Sequence, residues 1–153
     1  TGLPGRGKSH LALSIAKAVN DHADKPMACL FVSVNELFRL IKGSFGHPDS
    51  RYTEQNMVQL LGDADLLVLD DLGSEATFQS DQSKNRKEAS DYVQNVLFGI
   101  VNNRQRTIIT TNLGSAGLAN VYNPKIISRL YRGINGHVIS FTAATPDKRE
   151  VSF

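Results

Sequence analysis

Apolar positions along the chain fall into two kinds of run, one recurring every three or four residues and one continuous. From about Ser9 to about Ala23, Leu11, Ile15 and Val19 recur at helical spacing with Ala12 and Ala16 beside them, which predicts a first helix. Ala28 to Val34 is apolar throughout except Ser33 and predicts a buried strand. A short helix is expected from Asn35 to about Lys42, where Leu37, Leu40 and Ile41 share a face, and another from Tyr52 to Leu61 through Met57, Leu60 and Leu61. Gly43 to Ser50, broken by two glycines and Pro48, reads as a loop between them.

Leu66 to Leu69 is uninterrupted apolar sequence ending in Asp70-Asp71, the pattern of a central parallel strand covered on both faces. Gly73 to Lys87 is largely polar and without period. The clearest helix follows, with Ala89, Tyr92, Val93, Val96, Leu97, Ile100 and Val101 in one stripe. Thr107 to Thr111 predicts a third strand, Pro124 opens a helical segment through Ile126, Ile127 and Leu130, and His137 to Phe141 predicts a last short strand. Alternation of strands with helices argues for an α/β fold with a mainly parallel sheet.

Composition narrows the function classes without choosing one. The 153 residues suffice for one domain with a sizeable core, at 41% apolar and 21% charged. Seventeen basic against fifteen acidic residues give a net charge of +2, too balanced to argue for nucleic acid by bulk charge. The single cysteine, Cys29, lies in an apolar run and reads as a small buried hydrophobe in a reducing compartment, so the cytoplasm is expected. No apolar stretch approaches the roughly 20 residues that span a bilayer, and the histidines lack metal-ligand spacing.

Specific chemistry enters with Gly2-Leu3-Pro4-Gly5-Arg6-Gly7-Lys8-Ser9, which matches G-x-x-x-x-G-K-[ST] at every fixed position. Such a loop turns its N–H groups around phosphate oxygens, and the helix behind it adds the positive end of its dipole. The expected nucleotide ligands are Gly2, Pro4, Gly5, Gly7, Lys8, Ser9 and His10, with Lys8 on the β- and γ-phosphates and the Ser9 hydroxyl on magnesium. A strand should precede the loop, whereas the chain opens at Thr1, so a fragment lacking its first strand is expected. Asp70 and Asp71, at the end of the second buried strand, stand as a Walker B pair: Asp70 in the magnesium shell, the next carboxylate orienting or deprotonating the attacking water.

Gly-Arg-Gly-Lys-Ser-His-Leu-Ala at 5 to 12, Leu-Asp-Asp-Leu-Gly-Ser-Glu at 69 to 75, Thr-Thr-Asn-Leu at 110 to 113 and Ile-Ile-Ser-Arg-Leu at 126 to 130 together resemble the AAA+ replicative helicase loaders of the DnaC/DnaI type. The resemblance spans nearly the whole chain. It implies a P-loop NTPase core of the AAA+ type over residues 1–153, with an upstream strand and an N-terminal partner-binding domain outside it. It also implies Asn112 at the sensor 1 position, Arg129 as an arginine finger for a neighbouring subunit with Arg132 in reserve, ATP and Mg2+ as ligands, and a replicative DNA helicase as partner.

Two departures from that pattern bear on the chemistry. Many AAA+ ATPases carry glutamate after the Walker B aspartate, but Asp71 is shorter, so either hydrolysis is slow or Glu75 assists. The chain ends soon after the last strand without room for a helical lid, and Arg149 is the only late arginine that would imitate sensor 2. Phe38, Arg39, Lys42 and Phe45 form a basic and aromatic mixture suited to single-stranded DNA. The expected function is an ATP-binding, slowly hydrolysing loader that helps place a replicative helicase on single-stranded DNA. Its rivals are an IstB-type transposition ATPase, a non-hydrolysing nucleotide-gated adaptor and a small-molecule kinase.

Overall fold

The computed structural model describes residues 1–78 and 87–147. In chain order the elements are α1 (Lys8–His22), β1 (Cys29–Ser33), α2 (Val34–Gly43), α3 (Glu54–Asp63), β2 (Leu66–Asp70), β3 (Thr77–Phe78), β4 (Lys87–Glu88), α4 (Asp91–Val101), β5 (Thr107–Ile109), α5 (Ser115–Val121) and α6 (Pro124–Leu130). The main sheet runs β1-β2-β5, both pairings parallel, with Cys29 opposite Leu66 and Leu67 opposite Thr107.

The central strand explains why its sequence is apolar without interruption. Successive side chains of a strand point to opposite faces. Leu66 and Val68 meet Ala12 and Ala16 of α1, while Leu67 and Leu69 enter the larger core with α2, α3, α4, α5 and α6. Covered on both faces, β2 has no place for a polar residue until Asp70, where it leaves the sheet. Asp70 and Asp71 are thereby delivered to the carboxyl end of a rigid strand.

Helix ends follow local rules. Thr53, Ser90 and Asn123 cap α3, α4 and α6 by accepting from the N–H groups of Asn56, Val93 and Ile126. Pro124 occupies the first turn of α6, where its missing N–H costs nothing. The stripe Val93, Val96, Leu97, Ile100 and Val101 of α4 is buried, worth on the order of 10 kcal/mol at roughly 2 per side chain. That burial, more than propensity, holds an 11-residue helix.

One buried cation fastens the far end of the sheet. Arg104, 8% exposed, donates to the carbonyls of Leu61 (2.6 Å), Gly62 (2.9 Å) and Arg106 (3.0 Å) and to the Thr107 hydroxyl (3.2 Å). It thus closes the carboxyl end of α3 against the turn into β5, with its charge on the negative end of that helix.

Several expectations change. In α1 the alanines, Ala12 and Ala16, carry the buried face, while Ile15 is 36% exposed. Ile15 instead borders a groove beside β5 together with Leu11 and Ile108. Cys29 is only partly buried, because β1 is at the sheet edge. Residues 137–141 form no strand: Phe141 makes a single parallel bridge to Gly2, with its N–H on Thr1 O (2.9 Å), and Val138 and Ile139 stay more than half exposed. Within the polar stretch 73–87 lies the short antiparallel pair β3–β4, and α5 is an element the periodicity does not announce.

Candidate nucleotide site

The P-loop wraps into the start of α1. Gly2, Gly5 and Gly7 have φ of 136°, 76° and 89°, and Gly7 is the N-cap of α1. The first turn of α1 contains no acidic side chain, so the positive end of its dipole is left for an external anion. Gly5 suits this turn by its left-handed φ, and a Cβ there would also displace the Asp147 carboxylate. Arg6 Nη1 donates to Thr145 O, so residues 145–147 lie along the outside of the loop.

Lys8 and the Walker B strand meet through Asn112. Lys8 Nζ donates to Leu3 O and to Asn112 Oδ1, each at 2.7 Å, and Asn112 Nδ2 donates to Asp71 Oδ1 at 2.9 Å. The amide orientation is chemically consistent, with oxygen toward the ammonium and nitrogen toward the carboxylate. Three separately predicted residues, from the P-loop, the end of β2 and the turn after β5, therefore form one chain of hydrogen bonds.

Thr110 completes the carboxylate end and was not singled out from the sequence. Its hydroxyl donates to Asp70 Oδ1 at 2.6 Å and accepts from Asp71 N at 2.9 Å, fixing the Asp70 carboxylate and the Asp71 backbone relative to β5. Asp71 has φ 60°, left-handed for a residue with a Cβ, which turns the chain sharply out of β2. The signal available in the sequence was Thr110-Thr111-Asn112 itself: polar residues ending an apolar strand need partners there. Thr111, fully buried, spends its hydroxyl on Leu72 O (2.7 Å).

Other predicted residues are placed elsewhere. Glu75 Oε2 accepts from Gly73 N at 2.9 Å, and its Oε1 accepts from the hydroxyl of the buried Tyr122, so both carboxylate oxygens are engaged away from Lys8. Burial raises the Glu75 carboxyl above its ordinary range, against the opposite pull of its hydrogen bonds, and the Asp71 charge adds to the rise. Arg129 Nε donates to Asn102 Oδ1 at 2.9 Å with its guanidinium 5.8 Å from the Phe98 ring centroid, and Arg132 donates to Asn102 O at 3.1 Å. Both arginines thus rest at the carboxyl end of α4, outside the Lys8–Asn112–Asp71 chain. Ser9 and His10 are exposed on the first turn of α1. Arg149 lies outside the described residues.

Of the residues read as a DNA patch, Phe38 is core at 3% exposure, because it falls on the buried face of α2 with Val34, Leu37 and Ile41. Arg39 is exposed and paired with Glu36, Lys42 is exposed, and Phe45 is 59% exposed with its ring edge on Tyr92.

The residues fit a magnesium nucleotide. Among the described residues no group of three or more His, Cys, Asp or Glu side chains could hold a metal alone. Ser9 and Asp70 would hold Mg2+ together with phosphate oxygens and water, the sparse protein shell this ion takes in nucleotide sites. A groove of about 860 Å3 runs from Lys8 between β5 and residues 137–141, bordered by Leu11, Ile15, Ile108 and Ile139. No described helix is long and apolar enough to cross a membrane.

Comparison with known proteins agrees with this geometry. The IstB-like ATP binding protein family matches residues 1–129. The chain is 29% identical over 133 residues to the replicative helicase loader DnaC of Buchnera aphidicola subsp. Schizaphis graminum, and 28% identical over 133 residues to that of Buchnera aphidicola subsp. Acyrthosiphon pisum. Each alignment covers 87% of this chain and 49% of the relative, so the chain spans about half the length of the curated relatives it matches. Among solved structures, AMPPCP-bound DnaA from Aquifex aeolicus superposes with a TM-score of 0.66 at 17% identity, covering 92% of this chain and 38% of that one. DnaA bound to AMPPCP and single-stranded DNA gives 0.61 at 19%, covering 92% and 38%. These likenesses establish the AAA+ type of fold.

Proposed function

This chain belongs to the IstB-like ATP-binding family, and from that premise we propose that it binds Mg2+–ATP at residues 2–10, hydrolyses it slowly, and acts as a replicative helicase loader at single-stranded DNA. The observation that carries the ATPase reading is the continuous path Lys8 Nζ–Asn112–Asp71, which joins a phosphate-binding cation to a carboxylate through an amide able to sense what lies between them. In this reading Lys8 and the P-loop amides take the phosphates, Ser9 and Asp70 hold the metal, and Mg2+ supplies charge neutralisation at the phosphates. Asp71 orients the attacking water and Asn112 contacts the γ-phosphate or that water.

Arg129 belongs to this scheme as a finger for another copy of the chain. Leaving Asn102 is the cost of that role, and assembly on a partner supplies the acceptor. An isolated chain is therefore slow, and a finger in trans is worth about 10³- to 10⁵-fold in rate where it has been measured in GTPases. Helicase loading draws support from the similarity to proteins named DnaC, and exposed Lys42 and Phe45 suit a single strand by charge and stacking. A second reading, an IstB-type transposition ATPase, is favoured by the family match over residues 1–129. Binding to a purified replicative helicase or to a purified transposase separates the two.

Lys8→Ala and Arg129→Ala test the site together in the full-length protein with its partner and single-stranded DNA. Lys8→Ala loses tight ATP binding and stays folded; Arg129→Ala binds ATP normally and hydrolyses it poorly. Mixed assemblies of the two recover activity, because one copy supplies Lys8 and the other Arg129. Normal ATP affinity in Lys8→Ala defeats the P-loop reading, and no recovery in verified mixed assemblies defeats action in trans.

A further inference from the structure

Glu75 is a carboxylate close in sequence to the site, with both oxygens occupied by groups of its own chain. The segment from Asp71 to Glu75 leaves β2 in a tight turn held by bonds within itself and by Thr110 and Thr111 after β5. Asp71 N is on Thr110 Oγ1, Leu72 N on Thr110 O (2.8 Å), and Asp71 O accepts from both Ser74 N (3.2 Å) and Ser74 Oγ (2.6 Å). Gly73 has φ 95°, and a Cβ there would meet Leu113 Cδ1 at 2.6 Å, so any other residue strains the turn and shifts Leu113. Glu75 closes it by accepting from Gly73 N, then ties it to Tyr122.

Tyr122 is a firm anchor. It is 4% exposed, its N–H is bonded to Leu118 O, and its neighbour Asn123 donates its N–H to the buried Gln94 of α4 at 2.8 Å. Gln94 in turn donates to Ala89 O at 2.9 Å, and Ala89 N donates to Val121 O at 3.0 Å. The turn that carries Asp71 is thereby fastened, through a single carboxylate, to the junction of α4 and α5. Asp71 itself sits in a left-handed conformation that needs such support.

We propose that Glu75 is a positioning residue: it latches the Asp71 turn to Tyr122 and so holds the Asp71 carboxylate against Asn112, and it takes no proton from the attacking water. The inference rests on the ATPase reading above. It stands against the alternative in which Glu75 compensates for the short Asp71 as a base, since each of its carboxylate oxygens already accepts from a group of its own chain, Gly73 N and Tyr122 Oη.

The test compares Glu75→Ala, Glu75→Gln, Tyr122→Phe and the double variant Glu75→Ala/Tyr122→Phe in the full-length protein, under the conditions that give the unmodified protein its turnover. Glutamine can accept from Gly73 N through its oxygen and donate to the tyrosine oxygen through its amide, keeping the latch without a basic oxygen. Expected are a fall in kcat of about tenfold or more for Glu75→Ala and Tyr122→Phe, the scale of a small misplacement of a reacting group. Glu75→Gln stays within about threefold of the parent, and the double variant is no worse than the poorer single one, since both remove one latch. The dissociation constant for Mg2+–ATP stays within about twofold in all four, while kcat per folded molecule carries the loss.

Glu75→Gln as inactive as Glu75→Ala would make Glu75 the base and overturn the proposal. So would unchanged kcat in Tyr122→Phe, or losses that vanish once each variant is corrected for its folded fraction by thermal melting. Absence of turnover in the unmodified protein with ATP bound defeats the ATPase reading itself and the positioning role with it, an outcome distinct from any pattern among the variants.

Discussion

Replacing Thr110 by valine keeps the shape of a side chain that is 5% exposed and removes only the hydroxyl between the Asp70 carboxylate and the Asp71 backbone N–H. Two interactions go. Asp71 N–H is left without its acceptor, which costs about 1–3 kcal/mol for a buried donor, and Asp70 loses a bond to a charged acceptor worth about 1.5–3 kcal/mol. Asp70 is only partly buried, so water recovers part of the second loss, and Thr110→Val should cost about 2–4 kcal/mol of folding stability. Thr110→Ser keeps the hydroxyl and loses one methyl, for about 1 kcal/mol. Urea unfolding measures both, first without nucleotide and then at fixed Mg2+–ATP. The added stability from ligand follows RT ln(1 + [L]/Kd), so the increment reports affinity separately from the fold. The valine variant should lose most of its magnesium-dependent increment, with Asp70 free to rotate, and the serine variant should keep it. Valine within about 0.5 kcal/mol of the parent, or serine as poor as valine, refutes the role of the hydroxyl.

Arg104→Met should cost about 2–4 kcal/mol in urea unfolding, because the carbonyls of Leu61, Gly62 and Arg106 lose their shared donor, and Arg104→Lys should not restore it, since one ammonium cannot span the fork. Glu75, whose carboxyl is raised chiefly by burial, holds its proton more tightly folded than unfolded, so its contribution is present below about pH 4.5 and is lost as pH rises through the folded value. Glu75→Gln should therefore flatten the decline in unfolding free energy from pH 4.5 to 8, and parallel pH curves for the two proteins would count against this. Phe45→Ala should weaken binding of a labelled oligothymidylate by about 1–3 kcal/mol and Lys42→Ala should reduce its salt dependence, read by fluorescence anisotropy, and unchanged binding in both removes this patch from the DNA reading.

Much of the fold was legible because burial writes itself into the sequence. An apolar run as dense as Leu66 to Leu69 has no comfortable place except between two covered faces, and the α4 stripe has no partner except a core. What escaped was set by contacts distant in sequence. The spacing of Leu11, Ile15 and Val19 announced the helix α1 but not that Ala12 and Ala16 carry its buried face, which depends on the elements packed against it. Residues 137–141 have strand composition, and the structure gives them one parallel bridge, Gly2 to Phe141. Seven-residue α5 is hidden by Gly117 and by polar neighbours, and becomes visible only where Leu118 and Val121 pack. In the site, Lys8, Asp70 and Asp71 stood out by motif and Asn112 by family resemblance, and the structure brings Lys8, Asn112 and Asp71 into one chain of hydrogen bonds. Thr110 and Tyr122 act through those groups rather than on a ligand, and no motif spacing announces them.

Asp71 carries a side chain where the backbone, at φ 60°, would be more comfortable with glycine. The discomfort is about 1 kcal/mol, tolerable for aspartate and avoidable altogether. Any process that rewards folding alone, such as selecting random variants for heat resistance or soluble yield, should therefore drift toward Asp71→Gly. The winners would melt later and lack the carboxylate that Asn112 holds. Stability and chemistry are in open competition at this one position. A laboratory evolution of this protein needs a nucleotide-dependent step in every round, or it will improve the scaffold by dismantling the site.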